Sequence, residues 1–190
     1  FLVSKAEFIL NAQKKFALQE QYKPQPKQYI SGETFYLQGR ALRLKVIRAS
    51  KEQLYSDGVH LFLEVKDPQD FSKKERMVMR FFDRECKEVF GEIVEELYPV
   101  FQKYGVAVPS LRIRSMDTRW GSCLPGKGVI TLNKRLLEAP RNCIEYVVMH
   151  ELCHFIHPNH SKHFYAFLSM LMPDWKERKK VLDANDTYYL

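Results

Sequence analysis

The chain of 190 residues carries 30 Lys and Arg against 23 Asp and Glu, a net charge of +7, with 45% hydrophobic and 13% aromatic residues. That composition supports a buried core and excludes an intrinsically disordered chain, and the length fits one domain or two small ones. The longest apolar runs, such as Tyr146 to Met149, fall far short of the roughly 20 residues a membrane-spanning helix needs, so no membrane partner is expected.

The basic excess permits nucleic-acid contact through counterion release at phosphates, without requiring it. Cys86, Cys123, Cys143 and Cys153 are widely spaced and form no CxxC pair, which argues against a disulfide scaffold and a cysteine-only zinc site. Free thiols in a reducing cytoplasm are the expectation. The opening FLVSKAEFIL is interrupted by Lys5 and Glu7, unlike the unbroken apolar run of a secretory signal.

In chain order, Leu2, Ala6, Ile9 and Phe16 recur at helical spacing up to about Gln21, before Pro24 and Pro26. From Thr34 to Val65 the period changes to two, as in Leu42, Leu44 and Val46, with turn signals at Gln38-Gly39 and Asp57-Gly58; this predicts a small antiparallel meander. Ser72 to Glu75 reads as a capping box for a long helix bearing Met77, Val78, Phe81, Val89, Phe90, Ile93 and Leu97, broken near Pro99 and stopped at Gly105. SLRIRSMDTRWGSC, a turn at Leu124 to Gly128, and VITLN then predict a hairpin, leading to a short helix capped by Asn133. Pro140 suits the first turn of the next helix, CIEYVVMHELCHFI, which is apolar on nearly every side and cannot pass about His157 because of Pro158.

That helix carries HELCH. His150 and His154 lie four residues apart, so on a helix both rings reach one cation, while Glu151 lies about 100° round the axis, beside a water on that cation. A catalytic zinc takes three protein ligands and an open position. Pro158 ends the helix and lets the chain fold back, which makes His160 the best third donor ahead of His157 and His163. HExxH strings that arise by chance sit mostly on polar, exposed helices; here Ile144, Val148, Leu152 and Phe155 would bury two imidazoles and a carboxylate, which is costly unless they are paired or bind metal. Cys153 is turned away from the histidine face, which disfavours a structural site.

RWGSC at Arg119 to Cys123, ITLN, YVVMHELCH, NHSKHF and MPDW at Met172 to Trp175 together resemble the YgjP-like metal-dependent hydrolases, relatives of the WLM and SprT-type zinc peptidases. The strong motifs run from about Leu111 to Trp175, and the amino-terminal half resembles the family only loosely. The resemblance implies an α+β fold with a minimal zincin-like core: an active-site helix bearing His150, Glu151 and His154, His160 as third ligand, and an antiparallel sheet beside the cleft. The spacing of the three histidines also resembles the metzincin pattern, but His157 stands where that pattern has glycine and Met170 and Met172 fall in a helical stretch, so the chain is not read as a metzincin. Residues 1–71 are read as a helix and β region, and residues 72–190 as the catalytic domain with its long leading helix.

Zinc held there would acidify a water, with Glu151 taking the proton, and peptide hydrolysis is the leading expectation. VITLN is a strand for pairing with an extended substrate. Arg119, Trp120 and Asn133 are the further cleft candidates, Arg119 or Asn133 for the oxyanion. Two alternatives have their own chemistry: a nucleoside triphosphate pyrophosphatase using Arg112, Arg114 and Arg119 on the phosphates, against which stands the lack of a carboxylate cluster for magnesium, and a non-catalytic zinc module that docks on nucleic acid or protein.

Overall fold

A computed structural model of the chain describes residues 26–185; the helix expected up to Gln21 lies outside them. The first sheet contains β1 (Thr34–Leu37), β2 (Arg40–Arg48), β3 (Gln53–Ser56) and β4 (His60–Val65), in the order β1-β2-β4-β3. Gln38 and Gly39, both at positive φ, make the β1–β2 turn as the sequence predicts, and the Asp57 carboxylate accepts the Val59 and His60 N–H groups in the β3–β4 turn.

The sheet is not the antiparallel meander expected, because β2 and β4 pair parallel. The physical reason is burial: Leu42 and Leu44 of β2 and Leu61, Leu63 and Val65 of β4 are the buried residues of the sheet, and central placement of both strands covers them. Helix α1 (Phe71–Leu97) closes that face with Val78 and Phe81 and continues into a second core with Val89, Phe90 and Ile93. Its cap is Asp70, whose carboxylate accepts the Lys73 N–H at 2.9 Å, so the cap lies two residues before the Ser72 expected. Pro99 divides α1 from a single turn, α2 (Pro99–Gln102), and Gly105, at φ 77°, ends the segment.

The second sheet is mixed: β5 (Ser110–Arg114) and β7 (Val129–Asn133) are parallel, while β6 (Gly121–Leu124) and β7 form the predicted hairpin, giving the order β5-β7-β6. The run read as one strand is therefore two, separated by residues 115–120. β7 is paired on both sides and has no free edge for a substrate, which corrects the role expected for VITLN; the edge strand that packs beside the histidine helix is β6. A 3-10 turn (Lys134–Glu138), α3 (Arg141–Cys153), α4 (Lys162–Leu171) and α5 (Trp175–Asn185) complete the α+β architecture. The sheets are joined where the Gln38 and Gly39 N–H groups donate to the Leu137 and Glu138 carbonyls at 2.8 and 2.9 Å.

Candidate active site

Cys143, Ile144, Val147, Val148, Met149, Leu152 and Cys153 are all buried, so α3 is fixed in the middle of the second core and delivers its polar end to a cleft bounded by Trp120 and Gly121 at the start of β6 and by α5. The helix ends at Cys153, earlier than expected, because residues 154–157 tighten into turns: Phe155 and Ile156 N–H bond the carbonyls three residues back. His154 keeps a helical backbone, and its ring centroid lies 5.0 Å from that of His150.

The tightened turn brings the His157 carbonyl to 3.2 Å from His154 Nδ1. A carbonyl oxygen only accepts, so Nδ1 carries the proton and the lone pair is on Nε2. Beyond Pro158, Ser161 caps α4 by accepting the Phe164 N–H at 3.3 Å, which fixes His160 one residue before the cap. His160 Nε2 then lies 2.9 Å from His150 Nε2, and ligand atoms of His150, His154 and His160 all lie within 4.8 Å of one another. The fully buried Phe164 ring supports the three imidazoles, with centroids 4.9, 4.8 and 4.9 Å away. His157 packs instead on Phe167, and His163 is exposed at the start of α4.

Burial, with His154, His160 and Lys179 nearby, pushes His150 down to about 3, and burial also lowers His154. Both are neutral imidazoles at physiological pH, the form that binds metals. Burial pushes the Glu151 carboxyl up to about 8 against the opposing pull of Arg119. Glu151 lies directly under β6: a Cβ on Gly121 would come within 2.7 Å of Oε1 and 2.9 Å of Cγ. The glycine of RWGSC is therefore the one residue type that lets β6 pass over the carboxylate, a role that the sequence reading missed, as it did the support from Phe164.

The other expected cleft residues separate. Trp120 lines the cleft with Gly121, His150 and Glu151, and the Arg135 guanidinium lies over its ring at 5.4 Å. Arg119 is exposed and acts electrostatically on Glu151. Asn133 is 2% exposed, and its amide group donates to the Met116 and Arg119 carbonyls and accepts the Arg135 N–H, which pins residues 115–120. Arg112 and Arg114 are exposed on β5, across the sheet from β6 and about 10 Å from it on ordinary strand spacing. Among the described residues, the three histidines form the one His, Cys, Asp or Glu group able to hold a metal, and three convergent imidazoles fit a divalent cation of the zinc type.

A helix that brings convergent histidines beside a small sheet in an α+β fold makes a candidate metal site. The model of the family described as YgjP-like, metallopeptidase domain, matches residues 1–185, and the chain belongs to that family. No curated protein sequence matches the chain. Among solved structures, the crystal structure of the metallopeptidase zymogen of Methanocaldococcus jannaschii jannalysin is similar to half of it, at 22% identity and a TM-score of 0.43, covering 50% of this chain and 88% of that one. No helix among the described residues is long and apolar enough to cross a membrane.

Proposed function

We propose that the protein is a zinc-dependent peptidase in which His150, His154 and His160 hold the metal and Glu151 is the general base. The observation that carries this reading is the convergence of the three imidazoles with the Glu151 carboxylate held beside them under Gly121. Bound zinc supplies Lewis acidity that polarises a carbonyl and makes water acidic near neutral pH.

With a divalent cation beside it to offset the burial that raises its carboxyl to about 8, Glu151 accepts the proton of the attacking water on a carboxylate oxygen and passes it to the leaving amine. Its burial keeps bulk water from competing for that proton. The exposed Arg119, whose charge reaches Glu151, stabilises the developing oxyanion. The substrate backbone pairs with β6. Since the Asn133 N–H donates to the Trp120 carbonyl at 2.9 Å, the antiparallel alternation turns the N–H and C=O groups of Gly121 and Cys123 towards the free edge.

Peptide fits this cleft better than nucleotide. The cavity beside Glu151 measures about 170 Å³, below the roughly 300 Å³ at which pockets for larger ligands begin, and Arg112 and Arg114 lie on the far strand. The test compares wild type with Glu151→Gln at equal zinc content, on a peptide library and on a panel of nucleoside triphosphates. Peptide cleavage lost in the variant, with the triphosphates untouched, is the expected result; triphosphate hydrolysis without peptide cleavage would overturn the reading.

A further inference from the structure

Next to His150 and Glu151 the cleft deepens into the cavity of about 170 Å³, walled by Trp120 and Gly121 at β6, Tyr146 of α3 and Leu182 of α5. Its rim is an ion pair one helical turn apart on α5, Lys179 with Asp183. Both charges are felt inside: Lys179 is among the groups that lower His150, and Asp183 among those that raise Tyr146.

The wall itself is fixed by other residues. Arg178 bonds Asp174, Glu145 and the Asn142 carbonyl, and Trp175 stacks on Tyr146 with centroids 6.3 Å apart, so α5 is fastened to α3 without the rim pair. Lys179 and Asp183 are about half exposed and make no second ion pair among the described residues.

We propose that this cavity receives the side chain of the residue on the leaving-amine side of the scissile bond, and that Lys179 and Asp183 restrict it to one neutral apolar side chain of leucine to phenylalanine size. This rests on the peptidase reading. The side of the bond follows from Glu151, which lines the cavity and protonates the leaving amine. The size follows from the volume. Neutrality follows from the rim: each charge is cancelled by the other, so a charged side chain would lose its hydration and meet no unopposed partner. Lys179→Met would leave Asp183 free for a Lys or Arg side chain, and Asp183→Asn would leave Lys179 free for Asp or Glu.

The experiment uses the zinc-loaded full chain as wild type, Lys179→Met and Asp183→Asn, maps cleavage sites in a peptide library by mass spectrometry, and measures equilibrium binding of the same peptides to the Glu151→Gln form of each. Wild type should cleave before Leu, Met or Phe, and each variant should gain about tenfold in kcat/KM for its oppositely charged residue relative to Leu, with binding in the same order. Identical profiles in all three, with Glu151-dependent cleavage, would overturn the selectivity and leave the peptidase reading standing. Binding in the expected order without any cleavage would uphold the cavity and overturn the peptidase reading, and neither cleavage nor binding would overturn both.

Discussion

Gly121 is the position where a single methyl group has the largest expected effect, because it would displace the Glu151 carboxylate rather than a flexible surface chain. Gly121→Ala is expected to lower kcat about 100-fold, the scale of a misplacement near 1 Å, with zinc content and Tm close to wild type; an unchanged kcat would show that Glu151 does not depend on this contact. Phe164→Ala removes the ring beneath three imidazoles and leaves a buried cavity, so urea denaturation should show a loss of about 3 to 5 kcal/mol. At this scale the sequence was readable wherever spacing along one element sets the geometry. His150 and His154 meet because four residues make one helical turn, and Pro158 makes the return to His160 possible. The burial of Asn133 is not legible from a polar residue beside the motif, and the closeness of Gly121 to Glu151 is a contact between elements that neither segment encodes alone.

At the scale of elements, the 3-10 turn at Lys134–Glu138 links the histidine-bearing helix α3 to the first sheet and carries a pH-sensitive group. Burial pushes the Glu138 carboxyl up to about 7 from an ordinary 4.5, although Arg135 and Lys27 oppose it. A raised carboxyl pKa means that the folded state binds the proton more tightly than the unfolded state. Its contribution is therefore present at low pH and is lost as pH rises between about 4.5 and 7. Glu138→Gln should raise Tm by several degrees at pH 8 and hardly at all at pH 4.5; a variant less stable than wild type at pH 8 would contradict this. Strand identity was legible from alternation, as in β2 and β4, and the β6–β7 hairpin from its Pro-Gly turn. Strand order was not: the parallel pairing of β2 with β4 is set by which strands the sheet must bury, a property of the whole sheet and of α1 rather than of any local pattern. The Lys179 and Asp183 pair was equally hidden, since an i, i+4 pair on a polar helix reads as an ordinary solvated face.

Across the whole molecule, the site is assembled from parts that no single element supplies: α3 gives His150 and Glu151, its C-terminal cap gives His154, the segment before α4 gives His160, β6 gives the strand above, and α5 gives the far wall. A metal bound only by the folded arrangement must stabilise it, by about 2.7 kcal/mol at a hundredfold excess over Kd. Removal of zinc by a chelator should lower Tm by several degrees, and this effect should be absent in His160→Ala, which breaks the set of three. The α+β class and the histidine pattern follow from the order and periodicity of the segments, while the closeness of α5 to His150 and Glu151 emerges only from the packed structure. The most direct test of the central claim is X-ray absorption spectroscopy at the zinc edge on the purified wild-type protein. One zinc per chain with three imidazole nitrogens at about 2.0 to 2.1 Å is the expected result; a first shell containing sulfur at about 2.3 Å, or no tightly bound zinc, would contradict the three-histidine site.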